Sequence, residues 1–379
     1  MFTDDGASSG STREMMFPPP FRCRVIVAVG VIVATGAAAA SEPERRSADW
    51  VAAAAALSGE GFARLSGPWE PTLPKDHAPH SETGSEVWQL SAHLRDSAGA
   101  PAGLQMSLLR LGLLPPGEAG AGSDWLARGI WRGHVVLQAD ATAGEERFAR
   151  GMDGLVGHDS TTGALRLDDW SLAFDSDGWR LIARAGEMRA DLRLEPMRPA
   201  GAIGADDLPF RGYAIARLAV AGTIATDSGQ RSVQGSAWFE HLWGELPLPG
   251  TGPVASDRLI LQLEDGSDIS LVRTRRIDGR GLPAVEGVLI GPDGTGSALE
   301  SAAVSFEPVR EWQGRGAAWP VAWTLRAGDL NLSVTPVAAE GERSFAAPVW
   351  IGLVRAEGMR EGRPVAGLGT LQLTGYGAP

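Results

Sequence analysis

Cysteine is almost absent from this chain. One thiol, Cys23, occurs in 379 residues, so a folded body beyond it can form neither a disulfide nor a thiolate metal site. Cys23 precedes an apolar run instead of following it, which argues against lipoprotein acylation. Positive charge is also short. Thirty-four basic residues against 46 acidic ones leave a net charge of −12, which excludes a nucleic-acid partner bound by displacing counterions from phosphates. The main apolar run, 25–40, has 16 residues, short of the ~20 that span a bilayer. No 3.6-residue amphipathic pattern is sustained beyond about three turns. The chain has no GxSxG elbow, no phosphate loop, no GxGxxG opening a helix and no CxxC.

Glycine and proline are plentiful instead, 50 and 25, and they sit where turns between short strands would fall. Alternating or apolar segments read as strands at 86–94, 103–111, 131–138, 164–174 and 179–184. The series continues at 213–225, 232–241, 258–264, 269–275, 302–306, 321–326, 330–335, 350–356 and 367–376. The triplets Glu264-Asp-Gly266, Ile277-Asp-Gly279 and Pro292-Asp-Gly294 supply hairpin turns between them. The fold class is all-β. Residues 1–40 read as a signal peptide, with Arg22 and Arg24 before the apolar run and small residues at Ala37–Ala40. Residues 41–73 read as a linker. The Pro/Gly-rich stretch Pro196–Gly201 and the segment Leu208–Gly212 place a boundary between two halves, 74–208 and 209–379. Each half has strand enough for an antiparallel barrel of roughly eight strands, a size that holds one small ligand. Export to the periplasm follows from the leader; an uncleaved leader would tether the protein to the membrane, peripherally at most.

Only six histidines occur, and one stands in the aromatic-rich segment Gly235-Ser-Ala-Trp-Phe-Glu-His-Leu-Trp-Gly244. On a regular strand Phe239, His241 and Trp243 share one face, and Trp238 with Glu240 the other. His241 beside Trp243 can bind a polarised group or supply a proton in an apolar cavity; a core histidine with a backbone partner is the competing reading. Asp76-His77-Ala-Pro-His80 offers two imidazoles, but its spacing assigns no third ligand, and no metal or other cofactor is expected. Either Asp76 and His77 fix the loop before the first strand, or they serve a site. Glu86 shares its strand face with Trp88, and Arg110 on the next strand is placed to pair with it, which keeps the carboxylate ionised. Arg217 falls on the face of Tyr213 and Ile215, and His134 between Arg132 and Val136 is placed to line a cavity. His93 and His158 have no partner that spacing reveals.

Several of these segments, in this order, resemble the AttH and carotenoid 1,2-hydratase family. They are Asp76-His-Ala-Pro-His80, Glu86-Val-Trp-Gln89, Gly103-Leu-Gln105 with Arg110, His134, Asp168-Asp-Trp170, Arg217-Leu218 and Trp238–Trp243. Gln262–Gly266, Trp319-Pro320, Val349–Gly352 and Gly367–Tyr376 complete the series. The resemblance implies two lipocalin-like barrels packed together. It implies either a binder of a hydrophobic or amphipathic, lipid-like molecule serving an ABC transporter permease, or acid-catalysed hydration of a polyene. For catalysis it points to His241, Glu240 and Asp265; for ligand binding, to Trp238, Trp243, Glu86, Trp88, Arg110, His134 and Arg217. Departures from the family pattern at Val87, Gln89, the segment from Ser256 and Ile351 remove aromatics and an acid, which favours the binder.

Overall fold

The structure, a computed structural model, describes residues 61–116, 128–139, 144–153, 155–203, 208–246, 254–344 and 348–376. The expected leader and the linker up to residue 60 lie outside the described residues.

Twelve strands make the first sheet: β1 (Ser85–Asp96), β2 (Pro101–Gly112), β3 (Gly129–Ala139), β4 (Glu145–Met152), β5 (Gly157–Asp159), β6 (Ala164–Leu167), β7 (Trp170–Ala173), β8 (Trp179–Ala185), β9 (Met188–Pro196), β10 (Gly201–Ile203), β11 (Phe210–Thr226) and β12 (Gly229–Gly244). Ten make the second: β13 (Val254–Leu263), β14 (Asp268–Arg276), β15 (Ala284–Ile290), β16 (Gly296–Glu300), β17 (Val304–Gln313), β18 (Ala318–Ala327), β19 (Leu330–Pro336), β20 (Glu342–Ser344), β21 (Pro348–Arg360) and β22 (Arg363–Thr374). A single short 3-10 turn, Lys75–His77, is the one helical element among the described residues. No helix there is long and apolar enough to cross a membrane. The all-β, two-barrel expectation holds: the first sheet curls into a nearly closed barrel and the second into a half-barrel.

Both sheets follow one plan. The first runs β4-β3-β2-β1-β12-β11-β9 and onward to β5, with β10 beside β11; the second runs β16-β15-β14-β13-β22-β21-β19 and onward to β17, with β20 beside β21. In each, a meander is closed by two long strands that return to its first strand. The change of sheet therefore falls between Gly244 and Val254, and not at residue 208. The Pro196–Gly201 stretch is a bend that leads from β9 through β10 to β11 within one sheet. Without β11 and β12 the first barrel would lack the strands that join β1 to β9.

Alternation explains where the core sits. Trp88, Leu90, Ala92 and Leu94 of β1 face the first barrel's interior with Phe239 of β12, Leu181 of β8 and Leu192 of β9. The other face of these strands is buried as well, against the second body: Val87, Trp238 and Leu242 pack with Ile260, Val288 and Ile290. Central strands buried on both faces lose the polar outward residues of an open sheet. The second interior is filled by Trp319, Trp323, Trp350 and Phe306 among leucines and valines.

Polar bonds key the two bodies together. Gln262 donates its amide to the carbonyls of Ala216 (2.9 Å) and Ala237 (3.0 Å). Its carbonyl must then accept from the Ser236 hydroxyl (2.8 Å) and from His93 Nδ1 (2.9 Å). His93 is thus the neutral Nδ1–H tautomer, with Nε2 accepting from Thr370 Oγ1 at 2.9 Å. Burial agrees, pushing its pKa down to about 4.

Candidate functional site

The end of the first barrel where β1 begins gathers several buried ionisable groups, Asp76, His77, Glu86, Arg110 and His241. Strand register does most of the placing. Glu86 stands opposite Trp243 of β12 and opposite Arg110 of β2. His241 stands opposite Trp88 on one side and Tyr213 of β11 on the other. The segment leading into β1 lies across this end and adds Asp76, His77 and His80 from its 3-10 turn and the residues after it. Trp69 of that segment meets Trp243 edge-on, with ring centres 5.0 Å apart. The Arg110 guanidinium holds the segment by donating to the carbonyls of His80, Ser81 and Thr83 at 3.3–3.4 Å.

Glu86 is the hub. Its Oε1 lies 2.8 Å from His241 Nε2 and 2.9 Å from His80 Nδ1, and the His80 backbone N–H donates to both carboxylate oxygens. Arg110 Nη1 approaches Oε2 at 3.5 Å, the cross-strand pair expected from sequence. Glu86 and His241 are both fully buried. Burial alone raises the Glu86 pKa, but hydrogen bonds and positive charge from His241 and His80 outweigh it and hold the carboxyl at about 2.

The geometry around His241 counts protons. Its Nδ1 lies 2.8 Å from the Asp76 carbonyl oxygen, which can only accept, so Nδ1 carries hydrogen. Its Nε2 then needs a second hydrogen, either its own or one borrowed from Glu86, to face Oε1 at 2.8 Å without lone-pair repulsion. One proton therefore lies between His241 and Glu86. Burial pushes His241 toward its neutral form while Glu86 attracts the charged form, so both partners compete for that proton.

Aromatic rings wall the cluster. His241 stacks on Trp88 (4.4 Å between centres, 18° between planes) and His80 on Trp243 (3.7 Å, 3°). His77 turns away from Glu86, stacks on Phe174 at 4.4 Å, and shares a 2.6 Å hydrogen bond through Nδ1 with the Tyr213 hydroxyl. Its pKa falls to about 4, from burial first and then the neighbouring His241 charge. The structural reading of the Asp76–His77 loop holds alongside: Asp76 Oδ2 accepts from Thr72 N–H at 2.6 Å, and Trp88 Nε1 donates to the His77 carbonyl at 3.2 Å.

His80, Glu86 and His241 each offer a ligand atom within 4.8 Å of the others. Folding thus brings together the ligands that spacing could not, and a divalent ion could use them. Three hydrogen bonds already converge on Oε1, and Arg110 adds positive charge at Oε2, so the arrangement as it stands suits protons better than a second cation.

Five expected site residues lie elsewhere. Glu240 is on the opposite face of β12, as strand alternation requires; there it accepts from Trp238 Nε1 at 2.7 Å and pairs with Arg258 of β13 at 2.5 Å. Trp238 belongs to that same inter-barrel face. Asp265 closes the β13–β14 turn, accepting from the Ser267 N–H at 2.9 Å and pairing with Arg360. Arg217 leaves the barrel interior because a β-bulge between Ile215 and Leu218 reverses the alternation there, and it pairs with Asp268. His134 also faces outward, stacked on Phe148 and 3.2 Å from Glu146. Trp88, Trp243, Glu86 and Arg110 do converge on His241. Tyr213 and His80 join them without having been singled out as site residues.

A family model for AttH-like proteins matches residues 64–376. The chain belongs to the AttH-like family. An AttH-type protein from Nitrosomonas europaea has the same fold, with a TM-score of 0.70 at 23% identity over 84% of this chain and 100% of that one. Kievitone hydratase from Nectria haematococca follows at TM-score 0.56 and 13% identity, over 83% and 98% of the two chains. No curated protein matches in sequence.

Within this AttH-like fold the departures from the family pattern take on a different weight. Val87 and Gln89 face the inter-barrel contact, where Gln89 Oε1 accepts from Arg258 at 2.5 Å. The segment from Ser256 lies on β13 of the second sheet, and Ile351 packs with Val136 between the bodies. None of these positions faces the first barrel's interior. Trp88 and Trp243, the indoles that adjoin His241, lie apart from them.

Proposed function

We propose that the first barrel binds an apolar or amphipathic small molecule at its indole-walled end, with Glu86, His241 and Tyr213 meeting the molecule's polar or reactive group. The observation that carries this reading is the cost of the cluster. Taking ionisable groups out of water costs several kcal/mol each before pairing, and the fold's own stability needs no such group among Trp88, Trp131 and Phe239. Perturbed, buried titratable groups concentrate at functional sites. Native mass spectrometry of protein purified without detergent tests the reading: a lipid-sized adduct is expected on the native chain and absent from Trp243→Ala, while an adduct retained by that variant moves the ligand elsewhere.

A second, catalytic reading has its own support in the proton between His241 and Glu86. In it the pair donates that proton to one carbon of a substrate C=C. The cation left on the other carbon faces the π-systems of Trp88 and Trp243, which favour positive charge. Water adds to the cation and returns a proton to the pair, so the net change is addition of H2O. The likeness to kievitone hydratase makes hydration the natural form of this chemistry, with His241 and Glu86 in place of Glu240 and Asp265. Glu86→Gln and His241→Gln then abolish turnover of an isoprenoid alkene, assayed by 18O uptake from labelled water; full turnover in both variants rules the mechanism out.

The setting belongs to the same proposal. A cleaved leader would deliver the protein to the periplasm, where it would serve a transport permease that moves the same molecule. The intact mass of the exported protein gives the cleavage point directly.

A further inference from the structure

A cleft opens between the two bodies, outside the barrel interiors. It has a volume of about 520 Å³ and lies between the outer face of β11–β12 and the adjoining ends of β13 and β22. That volume falls within the ~300–1,000 Å³ of small-molecule sites, which favour such junctions between domains. Its floor is the smooth surface of Ala219, Ala221 and Gly235, and Leu263 and Leu368 supply apolar wall.

Arg217 gives the cleft its chemistry. The bulge between Ile215 and Leu218 turns this side chain out of the barrel and into the cleft. Bulges recur beside functional sites because they re-aim a side chain in this way. Arg217 is held rigidly: Nε and Nη2 donate to Asp268 Oδ1 at 3.0 and 2.8 Å, and Nη2 also donates to the Leu263 and Ser267 carbonyls. Nη1 takes no part in these bonds. Arg198 reaches the same carboxylate at 3.3 Å. Arg198 is drawn to Asp293 as well, so Arg217 shares Asp268 with a guanidinium that has a second carboxylate of its own. At the rim Arg95 and Glu264 pair at 3.4 Å and offset one another.

We propose that this cleft binds an amphipathic monoanion, a carboxylate with an apolar body, its charge on Arg217 and its body along the alanine floor. A preorganised arginine and an apolar surface are the two features such a ligand uses.

Fluorescence titration with cis-parinaric acid, its methyl ester and inorganic phosphate as competitor tests the assignment. The native chain is expected to bind the acid, and the ester about tenfold or more weakly for want of the charge-assisted bond. Ala221→Trp fills the floor at an exposed position without disturbing either core, and should lose binding by a similar factor. His241→Gln, in the first barrel, should keep the binding that Ala221→Trp removes. Displacement by millimolar phosphate would show that the cleft selects an anion without needing the apolar body, which overturns the amphipathic assignment. So would equal binding of acid and ester, retained binding in Ala221→Trp, or absence of binding to the native chain. Loss confined to His241→Gln would place the probe in the first barrel and leave that barrel's proposed role standing.

Discussion

At the scale of single residues, three histidines share one behaviour. His77, His93 and His134 are buried with pKa values lowered to about 4, burial being the first cause in each. The unfolded chain protonates these residues near 6.5, so it binds more protons than the folded one between pH 6.5 and 4. Their contribution to stability is complete above pH 6.5 and falls as pH drops toward 4, by up to about 1.4 kcal/mol per pH unit for each. Glu86 behaves as a depressed carboxylate. Its contribution is present above about pH 4.5 and is lost as pH falls toward 2. Urea midpoints measured from pH 7 to 3 should therefore decline in two stages, and a flat profile above pH 4.5 would contradict the neutral histidines. Glu86→Gln at pH 7 should cost about 3–5 kcal/mol, because His241, His80 and Arg110 lose their shared partner.

Residue-level reading from sequence was strongest where alternation is regular. Glu86 with Arg110, and His241 with Trp243, were legible because β1, β2 and the end of β12 keep strict period-two order. Arg217 was misplaced because nothing in Ile215-Ala-Arg-Leu218 announces a bulge. Tyr213 could have been found by scarcity. The chain has two tyrosines: Tyr213 bonds His77 in the first barrel, and Tyr376 donates to buried Asp257 in the second at 2.9 Å.

At the scale of elements, turn chemistry was the most readable feature. All three Asp-Gly turns expected from sequence join consecutive strands, with Gly266, Gly279 and Gly294 at φ of +89°, +70° and +85°. The 164–174 segment divides at Asp168, whose φ of 59° turns β6 back along β7. In β4 and β15 alanine, glycine and charged side chains dilute the apolar alternation, which hides them in the sequence, whereas β9 alternates Met188, Ala190, Leu192 and Leu194 with charged residues and is legible as a strand. The expected boundary at 208 failed because a proline-rich bend inside a barrel looks in sequence like a linker between domains. Only pairing of β12 with both β1 and β11 reveals the difference. The tightness of that pairing is testable. A Cβ on Gly235 would fall 2.1 Å from the His93 backbone oxygen on β1, which cannot yield without moving the strand. Gly235→Ala should destabilise by about 1–3 kcal/mol, read as a lower urea midpoint at unchanged slope.

At the scale of the whole molecule, the contact between bodies is polar as well as apolar, and its charges are buried. Arg258 of β13 binds both Glu240 and Gln89 of the first sheet. Arg258→Met leaves Glu240 without its cation and should cost about 3–5 kcal/mol, whereas Arg258→Met with Glu240→Met should recover most of that loss. Two barrels joined this way are expected to unfold in one calorimetric transition; two separable transitions would mean the contact is weaker than its bonds suggest. This arrangement also explains why family-divergent positions on β1 and β21 could change without altering the first barrel's lining.

The shared proton of His241 and Glu86 supports most of the functional account, and imidazole-selective 1H–15N NMR reads it directly. At pH 7 the native chain should show two exchange-protected protons on the His241 ring system, one at Nδ1 facing Asp76 and one hydrogen-bonded between Nε2 and Glu86, with the second lost in Glu86→Ala. A single protected ring proton at Nδ1, unchanged by that substitution, would contradict the account.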